Sequence, residues 1–239
     1  MILSNLTLEQ FQELTSTQDY AKEKFTAGSI NFNTVISAIK QTKGRGRYEG
    51  RTWESNEGNI AITICLKIDE SANASQLCYV AANAVSQTLS NLIPGHKFEV
   101  KWVNDVLVGN KKIAGILIEK IKNCVLIGVG INLKANSTVT KLNGISAEEL
   151  NTNIEHKVFL DKLLQNFISH FNAWVQFGFS PTRVYWIKNA YNLGREIKIN
   201  YSDGTSESGK FVDIDEEGKL ILDNKGTIKK IETGELFDI

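Results

Sequence analysis

One segment of the chain concentrates side chains that could bind an anion. Residues 42–53, TKGRGRYEGRTW, interleave four cations with three glycines and end on the aromatic Trp53. The cations are Lys43, Arg45, Arg47 and Arg51. Arginine presents a planar fork of N–H donors that suits carboxylates and phosphates, and glycine lets a loop approach another group closely. The segment therefore predicts a loop that binds an anion.

The charge of the whole chain narrows the choice of anion. Lys plus Arg number 27 and Asp plus Glu also number 27, which argues against a dedicated nucleic-acid binder. A solvated basic loop, or an RGG-like segment that touches nucleic acid, is the alternative reading. The glycine spacing fits neither the Rossmann nor the P-loop pattern. A strongly basic loop between two apolar strands of a neutral protein favours a local anion of ligand size.

A second segment pairs an acid with a base. In KWVNDVLVGNKKIAGILIE, residues 101–119, Asn104 and Asp105 end one predicted strand and Lys112 follows the GNKK turn. This hairpin predicts that Asp105 and Lys112 face each other across its mouth. An ordinary surface turn is the alternative, since Asn and Asp are common turn residues. In GVGINL, residues 128–133, glycines in a core strand suggest close approach of the backbone to another group, although a bulge or a packing role explains them equally well.

Length and composition are those of a soluble globular protein. The chain has 239 residues, of which 42% are hydrophobic and 23% charged, and fits one large domain with or without a small appendage. No apolar run approaches the roughly 18 residues that span a bilayer, and no export signal is visible. Scattered Cys65, Cys78 and Cys124 indicate reduced structural thiols in a cytoplasmic protein. The three histidines are isolated too, so no zinc site is expected.

Hydrophobic spacing predicts the elements that must position these segments. STQDYAKEKF begins with capping-box spacing, which predicts a helix that stops at Gly28. Strands are predicted at NTVISAIKQT and NIAITICLK, on either side of the basic loop, and at FEVKW, DVLVG, IAGILIEK and CVLIGVGINL. Helical periodicity predicts helices over residues 75–92 and 158–175, and Pro181 opens another.

The composition changes from Gly194 onward. Short strands alternate there with turns about every eight to ten residues, which predicts a small closed barrel. We therefore predict an α+β fold in two parts. Residues 1–192 form a mixed β-sheet with packed helices, and residues 193–239 form the barrel.

Together these motifs resemble those of the biotin protein ligases. STQDYAK, QTKGRGRYEGRTW, KWVNDVLVGNKKIAGILIE and IGVGINL stand in family order, and the C-terminal part, including TGEL, matches the family's SH3-like domain. Two departures exist. Val103 stands where the family usually has proline, and Tyr48-Glu49 make the loop one residue longer. The resemblance covers essentially the whole chain and implies the form without an N-terminal DNA-binding domain.

The resemblance implies a two-step acyl transfer. Biotin's carboxylate attacks the α-phosphate of ATP, with Mg²⁺ on the polyphosphate, to give biotinyl-5′-AMP and pyrophosphate. A lysine of a biotin carboxyl carrier protein then displaces AMP. Lys112 is implied as the central cation, Asp105 as the group that orients or deprotonates the carrier lysine, and Arg45 with Arg47 as the clamp on the anions. No metal ligand is assigned.

Further site residues are implied by the same resemblance. Those for biotin are Ser16, Thr17, Gln18, Gln41, Gly44, Arg45, Gly46, Arg47, Lys112, Gly115 and Gly128. Those for ATP and the adenylate are Arg45, Arg47, Arg51, Trp53 as the adenine-stacking face, Asn104, Lys112 and Asn132.

Two alternative functions stay open at this point. A lipoate ligase shares the fold and the adenylate chemistry, and a non-catalytic ligand- or RNA-binding module represents a different class. GRGR and WVND favour biotin, and intact Lys112 and Asp105 argue against the module. We also predict a cytoplasmic monomer or homodimer that binds neither a membrane nor DNA in a sequence-specific way.

Overall fold

The computed structural model describes residues 2–48, 50–55, 57–135 and 143–238. Glu49, one of the two residues that lengthen the basic loop, lies outside them. Within the described residues, the first sheet contains β1 (Thr7–Leu14), β2 (Thr34–Arg45), β3 (Thr52–Ser55), β4 (Ile60–Lys67), β5 (Phe98–Lys101), β6 (Asp105–Val108), β7 (Lys111–Ile121) and β8 (Cys124–Ile131). The second contains β9 (Glu196–Asn200), β10 (Ser206–Ile214), β11 (Leu220–Asn224), β12 (Thr227–Ile231) and β13 (Glu235–Asp238). The helices are α1 (Thr17–Thr26), α2 (Gln76–Leu92), α3 (His156–Phe177) and α4 (Ser180–Lys188).

The first sheet is mixed, as predicted. Its hydrogen-bonded order is β1-β2-β4-β8-β7-β6-β5, and β3 pairs with β2. Strands β1 and β2 run parallel, whereas the other neighbours are antiparallel. The β6–β7 connection is the predicted hairpin turn, because Gly109 and Asn110 both have positive φ, 53° and 63°.

Helices cover both faces of the central strands. Helices α2, α3 and α4 pack into the main apolar core on one face. Helix α1 covers a smaller apolar cluster on the other face, where Ala21 packs with Cys65 and Leu126. Strand β4 is buried from residue 60 to residue 66, which explains why its sequence is a nearly continuous apolar run.

The start of α1 follows the predicted capping signal. Ser16 is in an extended conformation, and its hydroxyl accepts a hydrogen bond from the Asp19 amide at 3.2 Å. The helix ends at Thr26, and Gly28 follows with a φ of +66°. Capping therefore holds a defined first turn, in which Thr17 and Gln18 are buried.

Three strands were not predicted from the sequence: β1, β3 and β13. Strand β1 is an edge strand without a fully buried residue, and β3 and β13 have four residues each. Such strands carry too few apolar residues for a periodic signal. Their pairing depends on neighbours that are distant in sequence.

The C-terminal part forms the small antiparallel β domain that the sequence predicts. Its five strands have the hydrogen-bonded order β12-β11-β10-β9-β13, and within the described residues β13 pairs with β9. Closure of a barrel also needs the two edge strands at hydrogen-bonding distance with a fixed stagger, so closure between β12 and β13 remains a prediction. The boundary at residue 192 remains a prediction.

The Gly218 carbonyl is one of the contacts that attach the second sheet to the rest of the chain. Gly218 accepts hydrogen bonds from the buried Tyr79 hydroxyl and, at 3.2 Å, from the buried Trp102 indole. Arg183 of α4 also donates to the Ile214 carbonyl at 2.6 Å. Removal of the second sheet would also remove apolar side chains that belong to the main core, such as Ile197 and Phe211, which is costly. Point substitutions are therefore the better probe of this part of the chain.

The cysteines match their predicted structural role. All three are buried and free. Burial raises the pKa of Cys65 to about 12 and that of Cys124 to about 11, so both thiols stay protonated near pH 7. Among the described residues, no helix is both long and apolar enough to cross a membrane.

Candidate functional site

A pocket opens over the middle of the first sheet, between the first turn of α1 and the basic loop. Polar groups line it at Ser16, Thr17, Gln18 and Gln41, cations at Arg45, Arg47 and Lys112, and glycines at Gly115, Gly128 and Gly130. Gln18 lies against Gly128, whereas Trp53 lies against Gly130, two positions further along β8. The polar end and the end next to Trp53 and Lys112 are therefore separated along the strand.

A larger groove adjoins this pocket. It lies between the basic loop, the β5–β6 turn and β13, with a volume of about 860 Å³. Trp53, Asn104 and Lys112 line both spaces. The pocket itself has only about 60 Å³ of free volume, against roughly 300–1,000 Å³ for small-molecule sites. A ligand that fills the pocket must therefore displace a side chain or the loop.

Side chains from several elements build the polar end. Gln41 of β2 accepts at Oε1 from the Thr17 amide, at 2.7 Å, and from the Thr17 hydroxyl, at 3.0 Å. Gln18 donates from Nε2 to the Leu126 carbonyl of β8 at 3.3 Å. Thr63 of β4, which the sequence analysis missed, places its hydroxyl 2.9 Å from Thr17 Oγ1 and 3.1 Å from Gln18 Oε1. These side chains form one connected, largely buried network.

Two glycines of β8 make room for side chains in the pocket. A Cβ at Gly128 would lie 2.8 Å from Gln18 Oε1, and one at Gly130 would lie 2.3 to 2.6 Å from three atoms of the Trp53 indole. Cβ atoms do not approach other groups that closely, so Gln18 and Trp53 can occupy these places only against glycine. Gly128 was predicted as a site residue from the sequence, whereas Gly130 was not, although both belong to GVGINL.

Trp53 lies within the pocket rather than over an open surface. Its ring packs on Gly130, and Lys112 Nζ is 5.9 Å from the ring centroid. Its indole N–H is shielded from solvent and has no hydrogen-bond acceptor among the described residues. A buried donor without a partner costs free energy, so the ring is a natural candidate to move or to gain an acceptor when a ligand binds. Its stacking on adenine remains a prediction.

Lys112 and Asp105 meet across the β6–β7 hairpin, as predicted. Lys112 Nζ lies 2.6 Å from Asp105 Oδ1. In the sheet, Asp105 is paired with Gly115 and Leu107 is paired with Lys112, with a register shift between Val106 and Leu107. The shift brings Lys112 closer to Asp105 along the hairpin. Asp105 Oδ1 is shielded and makes no well-angled hydrogen bond within the described residues. The contact is therefore a charge pair, for which an incoming anion can compete.

Arg45 bridges two carboxylates at the rim of the pocket. Its Nη2 lies 2.6 Å from Asp19 Oδ1 and 3.1 Å from Glu119 Oε2, and thereby joins the end of β2 to α1 and β7. The Arg45 side chain is 40% exposed, so each pair contributes only about 0.2–1 kcal/mol. The structure thus places Arg45 in an existing bridge, whereas the sequence predicted an arginine that clamps the ligand's anions.

The tip of the basic loop is docked on the second sheet. Arg47 donates to the Thr233–Gly234 turn at 3.1 and 3.2 Å, and Arg51 makes a bidentate pair with Glu235, with both distances 2.8 Å. Tyr48 lies between the two guanidinium groups and donates its hydroxyl to the same turn at 3.0 Å. Hydrogen bonding to Glu235 raises the pKa of Arg51. No local sequence signal could have revealed Glu235, which is 184 positions from its partner.

The remaining predicted residues divide between the two spaces. Gly46 and Asn104 line both, and Asn132 lines the groove. Asn104 and Asn132 each donate a side-chain amide to a backbone carbonyl, at 3.0 and 3.3 Å. Gly44 lines neither the pocket nor the groove. A Cβ at this position would lie 2.2 Å from the Trp53 carbonyl oxygen. Gly44 permits the pairing of β2 with β3 instead.

The fold and the site define a class of protein. The sequence profile of the Biotin/lipoate A/B protein ligase family matches residues 10–136, and that of the Biotin protein ligase C terminal domain matches residues 193–237. The chain belongs to the biotin/lipoate A/B protein ligase family.

Individual relatives are similar over most of their length. The chain is 33% identical to the "Biotin--[acetyl-CoA-carboxylase] ligase" of Paracoccus denitrificans, over 88% of this chain and 92% of that protein. It is 30% identical to the "Bifunctional ligase/repressor BirA" of Bacillus spizizenii, over 95% of this chain and 72% of the relative. Its structure resembles that of the biotin protein ligase from Aquifex aeolicus in complex with biotin and ATP, with a TM-score of 0.85, 29% identity and 97% coverage of both chains.

Proposed function

We propose that this protein is an ATP-dependent biotin protein ligase that attaches biotin to a lysine of a carboxylase carrier protein. The observation that carries this proposal is the junction of two spaces at Lys112. A narrow pocket with a buried polar end lies on one side, and a groove lined by arginines lies on the other. Such a junction suits a carboxylic acid whose carboxylate must meet a nucleotide phosphate.

In the first step, a carboxylate oxygen of biotin attacks the α-phosphorus of ATP, and the bond to the β-phosphate oxygen breaks. Biotinyl-5′-AMP forms and pyrophosphate leaves. Lys112, released from Asp105, stabilises the negative charge where the carboxylate and phosphate meet. Arg47 and Arg51, which line the groove, can exchange their contacts with the second sheet for phosphate oxygens.

In the second step, the amine of the carrier lysine attacks the acyl carbon, the bond to the phosphate oxygen breaks, and AMP leaves. The incoming ammonium must first lose a proton to become a nucleophile. Asp105 is the carboxylate at the junction of pocket and groove that can orient or deprotonate it. The partner class we propose is the biotin carboxyl carrier protein of a carboxylase.

Mg²⁺ enters this proposal as a companion of the polyphosphate. Among the residues with described positions, no three His, Cys, Asp or Glu side chains are placed to hold a metal. Asp105 and Glu235 bring carboxylates to the groove, which fits Mg²⁺ because it is commonly held by one or two carboxylates plus substrate phosphates. The cytoplasmic location, the monomeric or homodimeric state and the absence of sequence-specific DNA binding remain predictions.

Biotin is expected to support ATP–pyrophosphate exchange, whereas lipoate should stay at the no-acid baseline. The polar end of the pocket would face an apolar dithiolane without hydrogen-bonding partners, and such sites reject ligands that leave buried polar groups unpaired. The measurement is incorporation of labelled pyrophosphate into ATP with biotin, lipoate and no acid. Equal exchange with lipoate would overturn the assignment of biotin as the selected acid, and exchange with lipoate alone would favour a lipoate ligase. Baseline values with both acids would favour a non-catalytic binding module.

Arg45→Ala is expected to release the acyl-adenylate roughly ten- to a hundred-fold faster, because a charge-assisted contact at the pocket rim is worth about 1.5–3 kcal/mol. The free energy of unfolding should change by less than about 1 kcal/mol, since the bridge is exposed. The lifetime of biotinyl-5′-AMP on the protein is the measurement. Lys40→Ala is the matched control, because Lys40 lies on the same strand and pairs with Glu13 at 2.7 Å, outside the pocket lining. Equal lifetimes in the two variants would refute a role for Arg45 at the rim.

A further inference from the structure

Thr63 is the polar residue within the buried part of β4, residues 60–66, which is otherwise apolar. Residues 60, 62, 64 and 66 of β4 belong to the main core, whereas Cys65, two positions after Thr63, belongs to the cluster under α1. Thr63 is 0% exposed and is paired in the sheet with Ile36 on one side and Gly128 on the other. A hydroxyl at such a position needs a hydrogen-bond partner, because water cannot reach it.

Backbone groups determine how the neighbouring amides are oriented. The Thr17 amide can only donate, so the Gln41 atom that lies 2.7 Å from it must be the oxygen. The Leu126 carbonyl can only accept, so the Gln18 atom 3.3 Å from it must be the nitrogen. Gln41 therefore accepts towards Thr17, and Gln18 turns its oxygen towards Thr63.

The threonines of this network, Thr17 and Thr63, supply one hydroxyl proton each. Thr17 uses its single hydroxyl proton on Gln41 Oε1, at 3.0 Å, so Thr17 Oγ1 can only accept from Thr63. Thr63 has one proton and two acceptors in reach, Thr17 Oγ1 at 2.9 Å and Gln18 Oε1 at 3.1 Å. The network is thus one proton short. Both acceptors belong to residues that line the pocket, and so does Gln41. Its Oε1 is bonded to Thr17, whereas its Nε2 has no hydrogen-bond acceptor among the described residues.

We propose that Thr63 is a positioning residue that determines specificity at the polar end of the pocket. Its single proton is shared between Thr17 Oγ1 and Gln18 Oε1, keeps these two acceptors close together and leaves acceptor capacity for N–H groups of the ligand. Gln41 Nε2 adds a donor. The family resemblance implies that Ser16, Thr17 and Gln41 contact the ureido ring of biotin, and this ring, a carbonyl group flanked by N–H groups, matches the set of donors and acceptors. The inference rests on the proposed biotin ligase function and assigns to Thr63 an indirect part in ligand selection.

The Thr63→Val variant tests this assignment, since it removes the hydroxyl and keeps a side chain of similar shape. Without the Thr63 proton, Thr17 Oγ1 and Gln18 Oε1 lose the donor that they share, while Thr17 keeps its hydrogen bond to Gln41. We expect the KM for biotin to rise roughly 10–100-fold, within the range for a lost buried hydrogen bond. The KM for ATP should stay within about two-fold, because Thr63 does not line the groove. Thr63→Ser, which keeps the hydroxyl, should return the KM for biotin to within about three-fold of the unaltered protein.

Thr88→Val supplies the matched control. Thr88 is likewise 0% exposed, and its hydroxyl donates to the Ala84 carbonyl at 2.7 Å and accepts from Asn166 at 2.9 Å, within the helical layer. It reports the general effect of removing a buried threonine hydroxyl. Pyrophosphate exchange is measured over ranges of biotin and ATP for all four proteins, at matched folded fraction from thermal unfolding. A biotin methylated on one ureido nitrogen serves as a second probe, and Thr63→Val should discriminate less between it and biotin.

The outcomes separate this inference from the function on which it rests. A selective rise in the KM for biotin, restored by serine and absent in Thr88→Val, supports Thr63 as a positioning residue. An unchanged KM for biotin in Thr63→Val, or an equal rise in Thr88→Val, overturns the inference alone. Absence of biotin-dependent exchange in the unaltered protein overturns the proposed function and the inference together.

Discussion

Lys112→Ala is expected to slow adenylate formation by a factor on the order of 10²–10³, the range for loss of one preorganised group that stabilises charge in the transition state. Lys112 lies at the junction of pocket and groove, where the attacking carboxylate and the phosphate would meet. Its ammonium needs no large movement to serve them, because its partner Asp105 lies at the same junction. The side chain is 37% exposed, so its loss should leave the fold intact.

Single-turnover formation of biotinyl-5′-AMP is the measurement that isolates this step. Lys111→Ala is the matched control, since Lys111 is the preceding residue of β7, is exposed, and lines neither space. Successive side chains of a strand point to opposite faces, so Lys111 should be dispensable. Near-normal adenylation by Lys112→Ala would refute its role as the central cation, and an equal loss in both variants would indicate a general charge effect.

Gly218→Ala is expected to lower the free energy of unfolding by about 2–5 kcal/mol. Gly218 has a φ of +86°, and a Cβ there would lie 2.7 Å from the ring of Tyr79. The left-handed conformation costs a non-glycine residue about 1–2 kcal/mol, and overpacking of a buried site costs about 1–3 kcal/mol more. Tyr79 also donates its hydroxyl to the Gly218 carbonyl, so displacement of this turn would weaken the attachment of the second sheet.

Gly226→Ala separates the two contributions. Gly226 has a similar φ of +90°, but a Cβ there would meet nothing within 4 Å. This variant should therefore show only the backbone cost of about 1–2 kcal/mol. Unfolding of both variants is followed by circular dichroism and tryptophan fluorescence in increasing urea. Equal destabilisation would show that the contact between Gly218 and Tyr79 adds nothing, and that the second sheet is held elsewhere.

Local physical chemistry determined much of this protein from the sequence alone. The Ser16 cap, the Gly109–Asn110 turn and the amphipathic helices depend on residues within one or two turns of each other, and the structure confirms all of them. The pairing of Lys112 with Asp105 was accessible for the same reason, since a short hairpin brings the two strands together. The glycine-rich basic loop and its aromatic end likewise pointed to an anion site.

Only the tertiary structure decided which partners the site residues have. The bridge from Arg45 to Asp19 and Glu119, and the pair of Arg51 with Glu235, join segments that meet only after the sheets have formed. The place of Thr63 in the polar network depends on β4 lying between β2 and β8. Strand order and register decide such contacts, and these follow from the burial of whole faces rather than from any local motif. The sequence could thus identify the charged and polar residue types, whereas the packing of distant elements determined their partners.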